Sequence, residues 1–202
     1  MARWENERRT SEQVREIKRQ AVLKEASRAF GRKGYHNTSL DDVARSLNIS
    51  KGTLYNYVRD KQEILFECHK EALDIGDAAM EYASRAETGA EQLRLAIRFY
   101  LERIVENLGA CAALLEVDAL RPDDRDAAVE RRRGFEQSIS AMVERGIADG
   151  SLKSGLDPML VVRTVMGAIN WIPRWYDPDR HQSPTELSVE MSGMLLDGLT
   201  AA

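Results

Sequence analysis

"SKGTLYNYVRDK", residues 50–61, decides how this chain is read. Thr53, Tyr55, Tyr57 and Val58 favour strands, and in a strand the two tyrosines would share a face. In a helix, two residues of separation turn them about 200° apart, onto surfaces with different jobs. The neighbours decide between the two. Upstream, "TSLDDVARSL" places Asp41 three residues after Thr38, a capping-box spacing, and puts Leu40, Val43, Ala44 and Leu47 on one side of a short helix. Asn48, one of the few non-glycine types that tolerate left-handed backbone, then makes a tight junction with Ile49, and Ser50 stands as an N-cap. The stretch is therefore expected to be a second short helix, from Lys51 to about Tyr57, with Leu54 and Val58 inward beside Leu47 and Ile49.

Outward from this pair the periodicity is helical throughout. Before it, Val14, Ile17, Ala21, Val22, Ala26, Ala29 and Phe30 recur at threes and fours from Ser11 on, and the helix stops at "RKGYHNTS" with Gly34 as its cap. The first ten residues are polar and expected to fray. After Lys61 the pattern predicts helices at about 61–84, 89–108, 110–120, 122–149, 157–176 and 184–200. They are separated by "ETG", Gly109, the Arg121–Pro122 pair, "DGSLKSGLDP" and "DPDRHQSP". The expectation is an all-α chain of about nine helices. Its division falls inside the helix that starts near Lys61, giving an amino-terminal domain of residues 1–62 and a larger one of 63–202.

Composition limits the function. No apolar run approaches the ~20 residues that cross a bilayer, and "MARWENERRTSEQVREIKRQ" is too charged for a secretory signal, so a cytoplasmic protein with no membrane partner is expected. Cys68 and Cys111 lack metal or redox spacing and read as buried thiols; His36, His69 and His181 are scattered, with no nucleophile or carboxylate motif beside them. Neither an enzyme, a metal nor a cofactor is indicated. The net charge of −4 hides an asymmetry: residues 1–61 carry 14 Lys+Arg against 8 Asp+Glu, or +6, which leaves 15 against 25, or −10, for the rest. A basic head on an acidic body suits an anionic partner at one end, although a solvated helix face would look the same.

Two short helices joined by a tight turn, with Val43, Ala44, Leu47, Ile49 and Leu54 inward, form a helix-turn-helix, whose second helix enters the DNA major groove. The run "AVLKEASRAFGRKGYHNTSLDDVARSLNISKGTLYNYVRDKQEIL" resembles the amino-terminal pattern of the tetracycline-repressor (TetR) family of bacterial transcription regulators over about residues 20–66. The shared features are a Gly-aromatic pair, two hydroxyl residues, an acidic residue before an aliphatic-Ala pair, a turn, Ser-Lys-Gly-Thr-Leu-Tyr and a following Lys and Glu. The resemblance implies phosphate contacts from Thr38 at the N-cap, Tyr57 and Lys61. It implies that Lys51, Gly52, Thr53 and Tyr55 face base edges and nearby backbone, with Asn56 at the rim. Val58 departs from the pattern, which usually has Phe there; the lost carbons cost about 1–3 kcal/mol unless another side chain, Phe30 or Phe66, fills in.

Beyond residue 66 the resemblance is one of layout, and it implies a ligand-binding body that dimerises through its last two helices. Leu160, Val161, Val165, Met166, Ile169 and Ile172, with Leu187, Met191, Met194, Leu195 and Leu199, suit such a seam, and Gly167, Ala168, Gly193 and Gly198 would allow close contact. A plain core explains them about as well. In "NWIPRWYDP" Trp171 and Trp175 are one turn apart, hence on one helical face, beside Asn170 and Arg174, as pocket wall or as packing. Phe99, Tyr100, Cys111 and Leu115 are further pocket candidates, equally open to a core reading. The implied function is a homodimeric regulator, a repressor of double-stranded operator DNA released by a small, mostly apolar inducer, with a faint likeness of layout to sensors of acyl-coenzyme A esters. The alternatives are a ligand-independent DNA- or partner-binding protein and a helical carrier or enzyme.

Overall fold

The computed structural model describes residues 10–107 and 112–201. Eight α-helices have defined bounds: α1 Ser11–Lys33, α2 Leu40–Ser46, α3 Lys51–Leu54, α4 Lys61–Ala83, α5 Gly89–Glu106, α6 Pro122–Asp149, α7 Pro158–Asn170 and α8 Pro184–Leu196. Residues 112–114 add a ninth helical stretch, and short 3-10 turns lie at Val117–Ala119 and Ile172–Arg174. The all-α expectation holds.

Caps fix the small helices at the amino-terminal end. Gly34 ends α1 at φ 80°, its N–H reaching Phe30 O at 2.9 Å. Asn48 holds the turn at φ 54°, a left-handed backbone rare outside glycine, and Ser50 Oγ accepts the Thr53 N–H at 3.1 Å. One assignment shifts by a residue. Ser39, not Thr38, is the N-cap of α2: it exchanges hydrogen bonds with Asp42, while Thr38 turns inward, its Oγ1 2.9 Å from Gly34 O and 3.2 Å from Ala29 O.

Four helix assignments are corrected. Val14 and Ile17 are exposed, so α1 buries its face only from Val22 onward. The segment read as 110–120 is broken by a turn at 115–116 and ends extended at Leu120 and Arg121, because Pro122, the first residue of α6, disfavours helical backbone in the residue before it. α7 stops at Asn170, since Pro173 has no N–H to give Ile169 O. Trp171 and Trp175 therefore do not share a helical face. α8 stops at Leu196, and the chain turns back so that Leu152 and Thr200 pair as an isolated antiparallel bridge. The expectation of frayed residues 1–10 falls largely outside the described residues; Thr10 itself caps α1.

Two buried clusters divide the molecule, and both run into α4. The smaller, the head, joins Val22, Ala26, Phe30, Val43, Leu54 and Val58 to Ile64, Leu65 and Cys68; the larger, the body, begins on α4 with Ala72 and Ala79 and continues through α5 to α8. Phe30 is fully buried in the head cluster with Val58, and Phe66 is partly buried against it. Ala113, Leu120 and Ala128 from the far side of the sequence complete the head. In the body α5 and α6 come to backbone contact: a Cβ on Gly89 would lie 2.1 Å from Gly146 N. Among the described residues no helix is long and apolar enough to cross a membrane.

Candidate nucleic-acid interface

The second short helix shows solvent a compact polar face. Lys51, Gly52, Tyr55 and Asn56 are exposed, Thr53 is half-buried, and Leu54 is fully buried beneath them. Ser50 and Asn48 set that orientation, because the cap and the left-handed turn leave Leu54 as the side chain buried in one cluster with Val43 and Phe30. Gly52 has only the Ser50 hydroxyl, at 3.8 Å, near where its Cβ would be. Its bare backbone is a place where another molecule can come close. Lys51 Nζ lies 3.0 Å from the Asp41 carboxylate across the α2–α3 corner, and that hydrogen bond raises its pKa.

The tyrosines separate as a helical reading requires. Tyr55 projects outward, 47% exposed, and Tyr57 is half-buried against the head cluster. Lys61 is half-buried as well, with Nζ 4.1 Å from the centre of the Tyr35 ring. Burial lowers its pKa, against an opposing pull from Glu116. Thr38 is buried and its hydroxyl is engaged internally, so it does not present the exposed N-cap oxygen expected of it; the exposed hydroxyl at that helix start is Ser39.

An open polar cleft adjoins this face, between α1 and the chain that leaves α3. Arg15, Arg19, Tyr55, Asn56, Tyr57, Arg59 and Glu63 line it, with Glu12, Glu16 and Val58. Arg15 Nη2 donates to Asn56 O at 3.4 Å, and Arg19 pairs with Glu67 at 2.6 Å and Glu63 at 3.2 Å. Glu63 also accepts the Arg59 N–H at 2.7 Å. Arg15 and Arg59 are exposed cations beside this face that the motif did not single out. The surplus of positive charge in residues 1–61 was the only sign of them.

The body does not gather the seven pocket candidates among the described residues. Trp171, 61% exposed, Arg174 and Trp175 lie on the surface, the Arg174 guanidinium 5.9 Å from the Trp171 ring centre. Leu115 is exposed, Tyr100 is buried at 5.2 Å from Phe135, and Phe99 stacks on Tyr82. Asn170 is half-buried with Oδ1 enclosed and without a hydrogen-bond partner. Cys111 lies outside the described residues. A small cavity does lie at the head–body junction, lined by His69, Leu73, Leu114, Val117, Ala128, Val129 and Arg132, none of them a candidate. Among the described residues no cluster of His, Cys, Asp and Glu could hold a metal. Cys68 is a buried free thiol, its pKa pushed up to about 12 by burial.

Comparison with known proteins identifies two matching stretches of the chain. The sequence profile of bacterial regulatory proteins of the tetR family matches residues 22–68, and that of the tetracyclin repressor-like C-terminal domain matches residues 86–199. The HTH-type transcriptional repressor KstR2 of Mycolicibacterium smegmatis is 26% identical over 188 residues, covering 91% of each chain. The solved TetR-family regulator PfmR from Thermus thermophilus superposes with a TM-score of 0.77 at 31% identity, over 89% of this chain and 99% of that one. AibR, solved in complex with isovaleryl coenzyme A and operator DNA, has the same fold, with a TM-score of 0.74 at 21% identity over 88% of this chain and 97% of its own.

Proposed function

Because the chain belongs to the tetracycline-repressor family of transcription regulators, we propose that it is a homodimeric repressor that binds a palindromic operator and is released by a small, largely apolar ligand. The observation that carries this reading is the exposed face of Lys51, Gly52, Tyr55 and Asn56 on a helix held by Ser50 and Leu54. Lys51, Gly52, Thr53 and Tyr55 meet base edges and adjacent backbone, with Asn56 at the rim. Tyr57 and Lys61 stand toward the phosphates, which fix register without reading sequence. Thr38 serves from behind, by tying the end of α1 to the start of α2.

The partner copy packs on α7 and α8. Leu160, Val189 and Met194 are exposed there, Met194 at 80%, and a Cβ on Gly167 would meet nothing within 4 Å. Such an exposed apolar surface suits a second copy better than water. Trp171 and Trp175 add to the exposed apolar area that follows α7, which favours the seam for them over a pocket wall. For the ligand, the AibR complex with isovaleryl coenzyme A supports an acyl-coenzyme A-like effector. Release follows by population shift, limited to the ligand's difference in affinity between the DNA-competent and spread dimers. A regulator of this kind works in the cytoplasm.

The test begins with selection of a binding element from random duplex DNA. Two half-sites about 34–36 Å apart, or further by whole turns, are expected. On that element Lys61→Ala should weaken binding to all sequences and flatten the salt dependence, while Tyr55→Ala should change base preference. Equal losses on selected and random DNA for both variants would sink the assignment. Thermal shift against a panel of acyl-coenzyme A esters tests the ligand, and absence of stabilisation by any of them removes it.

A further inference from the structure

The same face is also held by residues far away in the sequence. Six residues, Tyr55 to Asp60, join α3 to α4, and the last of them caps α4: Asp60 Oδ1 accepts the Glu63 N–H at 2.9 Å. Its other oxygen, Oδ2, accepts a hydrogen bond from the guanidinium of Arg121. Arg121 is the N-cap residue of α6, a 28-residue helix of the body. Two residues along α4, Gln62 Nε2 donates to Ala119 O at 2.9 Å. In the loop after α1, His36 Nε2 lies 3.2 Å from Glu116. The Arg121, Ala119 and Glu116 contacts all lie within residues 116–121, and Ala113, Leu120 and Ala128 in and around that stretch are buried in the head cluster.

We propose that Arg121 is a positioning residue for DNA recognition: by holding Asp60 it sets the angle at which α3 leaves α4, and so the spacing of the two recognition helices in the dimer. Arg121 itself touches no DNA. The idea rests on the dimeric, operator-binding reading above. Asp60 does two things at once, ordering α4 with one oxygen and joining the body with the other. Arg121 is in turn buttressed by Asp124, 3.5 Å away on its own helix, so its fork is presented in a fixed direction. Without this contact the junction keeps its apolar packing and α4 keeps its cap, but α3 gains freedom to shift relative to α4 about Tyr55–Asp60.

Asp60→Asn and Arg121→Gln separate the roles, since asparagine caps a helix as well as aspartate but carries no charge for arginine. Each variant is titrated against the operator selected by the wild-type protein and against copies with one base pair inserted or removed at the centre. The wild type is expected to lose about ten-fold or more on the altered spacings. Each variant is expected to shrink that penalty to about three-fold, the double variant to shrink it no further, and Arg121→Lys to restore part of it. Binding to random DNA and its salt slope should stay unchanged, which also reports that the variants are folded. Discrimination of spacing equal to wild type in both variants overturns the proposal, as does a parallel loss on operator, respaced operator and random DNA. If the wild type selects no paired half-sites at all, the dimeric reading falls first, and that outcome is visible before any variant is made.

Discussion

The two clusters that run into α4 are held together by different means. The head includes helices as short as four residues, too short to persist alone, so its shape depends on caps and turn residues: Ser39, Asn48, Ser50 and Asp60. The body consists of longer helices at close approach, with Gly89 against Gly146 and Gly76 against the Phe135 ring. From Val22 onward the head keeps its aliphatic residues buried or half-buried and leaves a mostly polar face out around α3. The body leaves apolar residues out on α7 and α8. The division has a physical basis: caps fix the direction of a few side chains over short distances, while steric contact between long helices fixes their relative placement over longer ones.

The largest test of the comparison lies in the body. Gly89→Ala would place a methyl carbon 2.1 Å from Gly146 N and 2.4 Å from its Cα, where only backbone movement can relieve it. A loss of about 3 kcal/mol is expected, or a fall of roughly 6–12 °C in melting temperature for a chain of this size. Unchanged melting would mean that close approach is not what holds the body.

Next comes the junction. His69 lies on α4, buried beside the small cavity; burial drives its pKa down from 6.5 to about 4, the Ala113 carbonyl opposes that, and Arg132 adds to it. The folded state therefore resists protonating this ring. The stability is fully present above the unfolded pKa near 6.5 and is lost as pH falls toward 4, by about 3 kcal/mol as an upper bound. Denaturant unfolding of the wild type and of His69→Gln from pH 8 to pH 4 checks it. An identical acid limb in both proteins would remove His69 from the account.

A smaller effect belongs to the head. Ser50→Ala deletes the acceptor of the Thr53 N–H and should cost about 1 kcal/mol. The loss should be felt more in operator binding than in melting, because α3 is the element that this cap holds. If melting falls and operator affinity does not, the cap supports the fold rather than the contacting face.

These differences also explain what the sequence could tell. Asn48, Ser50 and Gly34 act on backbone within a few residues of themselves, so their roles were readable from local pattern. Thr38 and Ser39 are adjacent hydroxyls with Asp41 and Asp42 at matching distances, and only packing against the end of α1 chooses between the two registers. The face of Lys51, Gly52 and Tyr55 followed from the helix. The half-burial of Lys61 against Tyr35 did not, because the two are 26 positions apart. Arg121 and Asp60 are further apart still, and neither is among the residues that the family pattern fixes. In the body Pro173 announced a break near Trp171, yet the period around it suggested a continuing turn, and of the four residues it grouped Trp171, Arg174 and Trp175 lie exposed while the Asn170 Oδ1 is enclosed.

The smallest effect is the most discriminating for the exposed side of the body. Gly167 lies inside α7, and nothing stands within 4 Å of where its Cβ would be. In an isolated chain Gly167→Ala should therefore stabilise the helix by about 0.5–1 kcal/mol, since alanine loses less backbone freedom on folding. At a seam between two copies the same methyl would enter the space taken by the partner, as the exposed Leu160 and Met194 suggest for this surface. The two effects have opposite signs and separate with concentration. Sedimentation equilibrium should show a weaker dimer, while melting at concentrations where the chain is monomeric should rise by a few degrees. A variant that dimerises as tightly as wild type would move the seam away from Gly167, and with it the argument that the apolar exposure of α7 and α8 is there for a second copy.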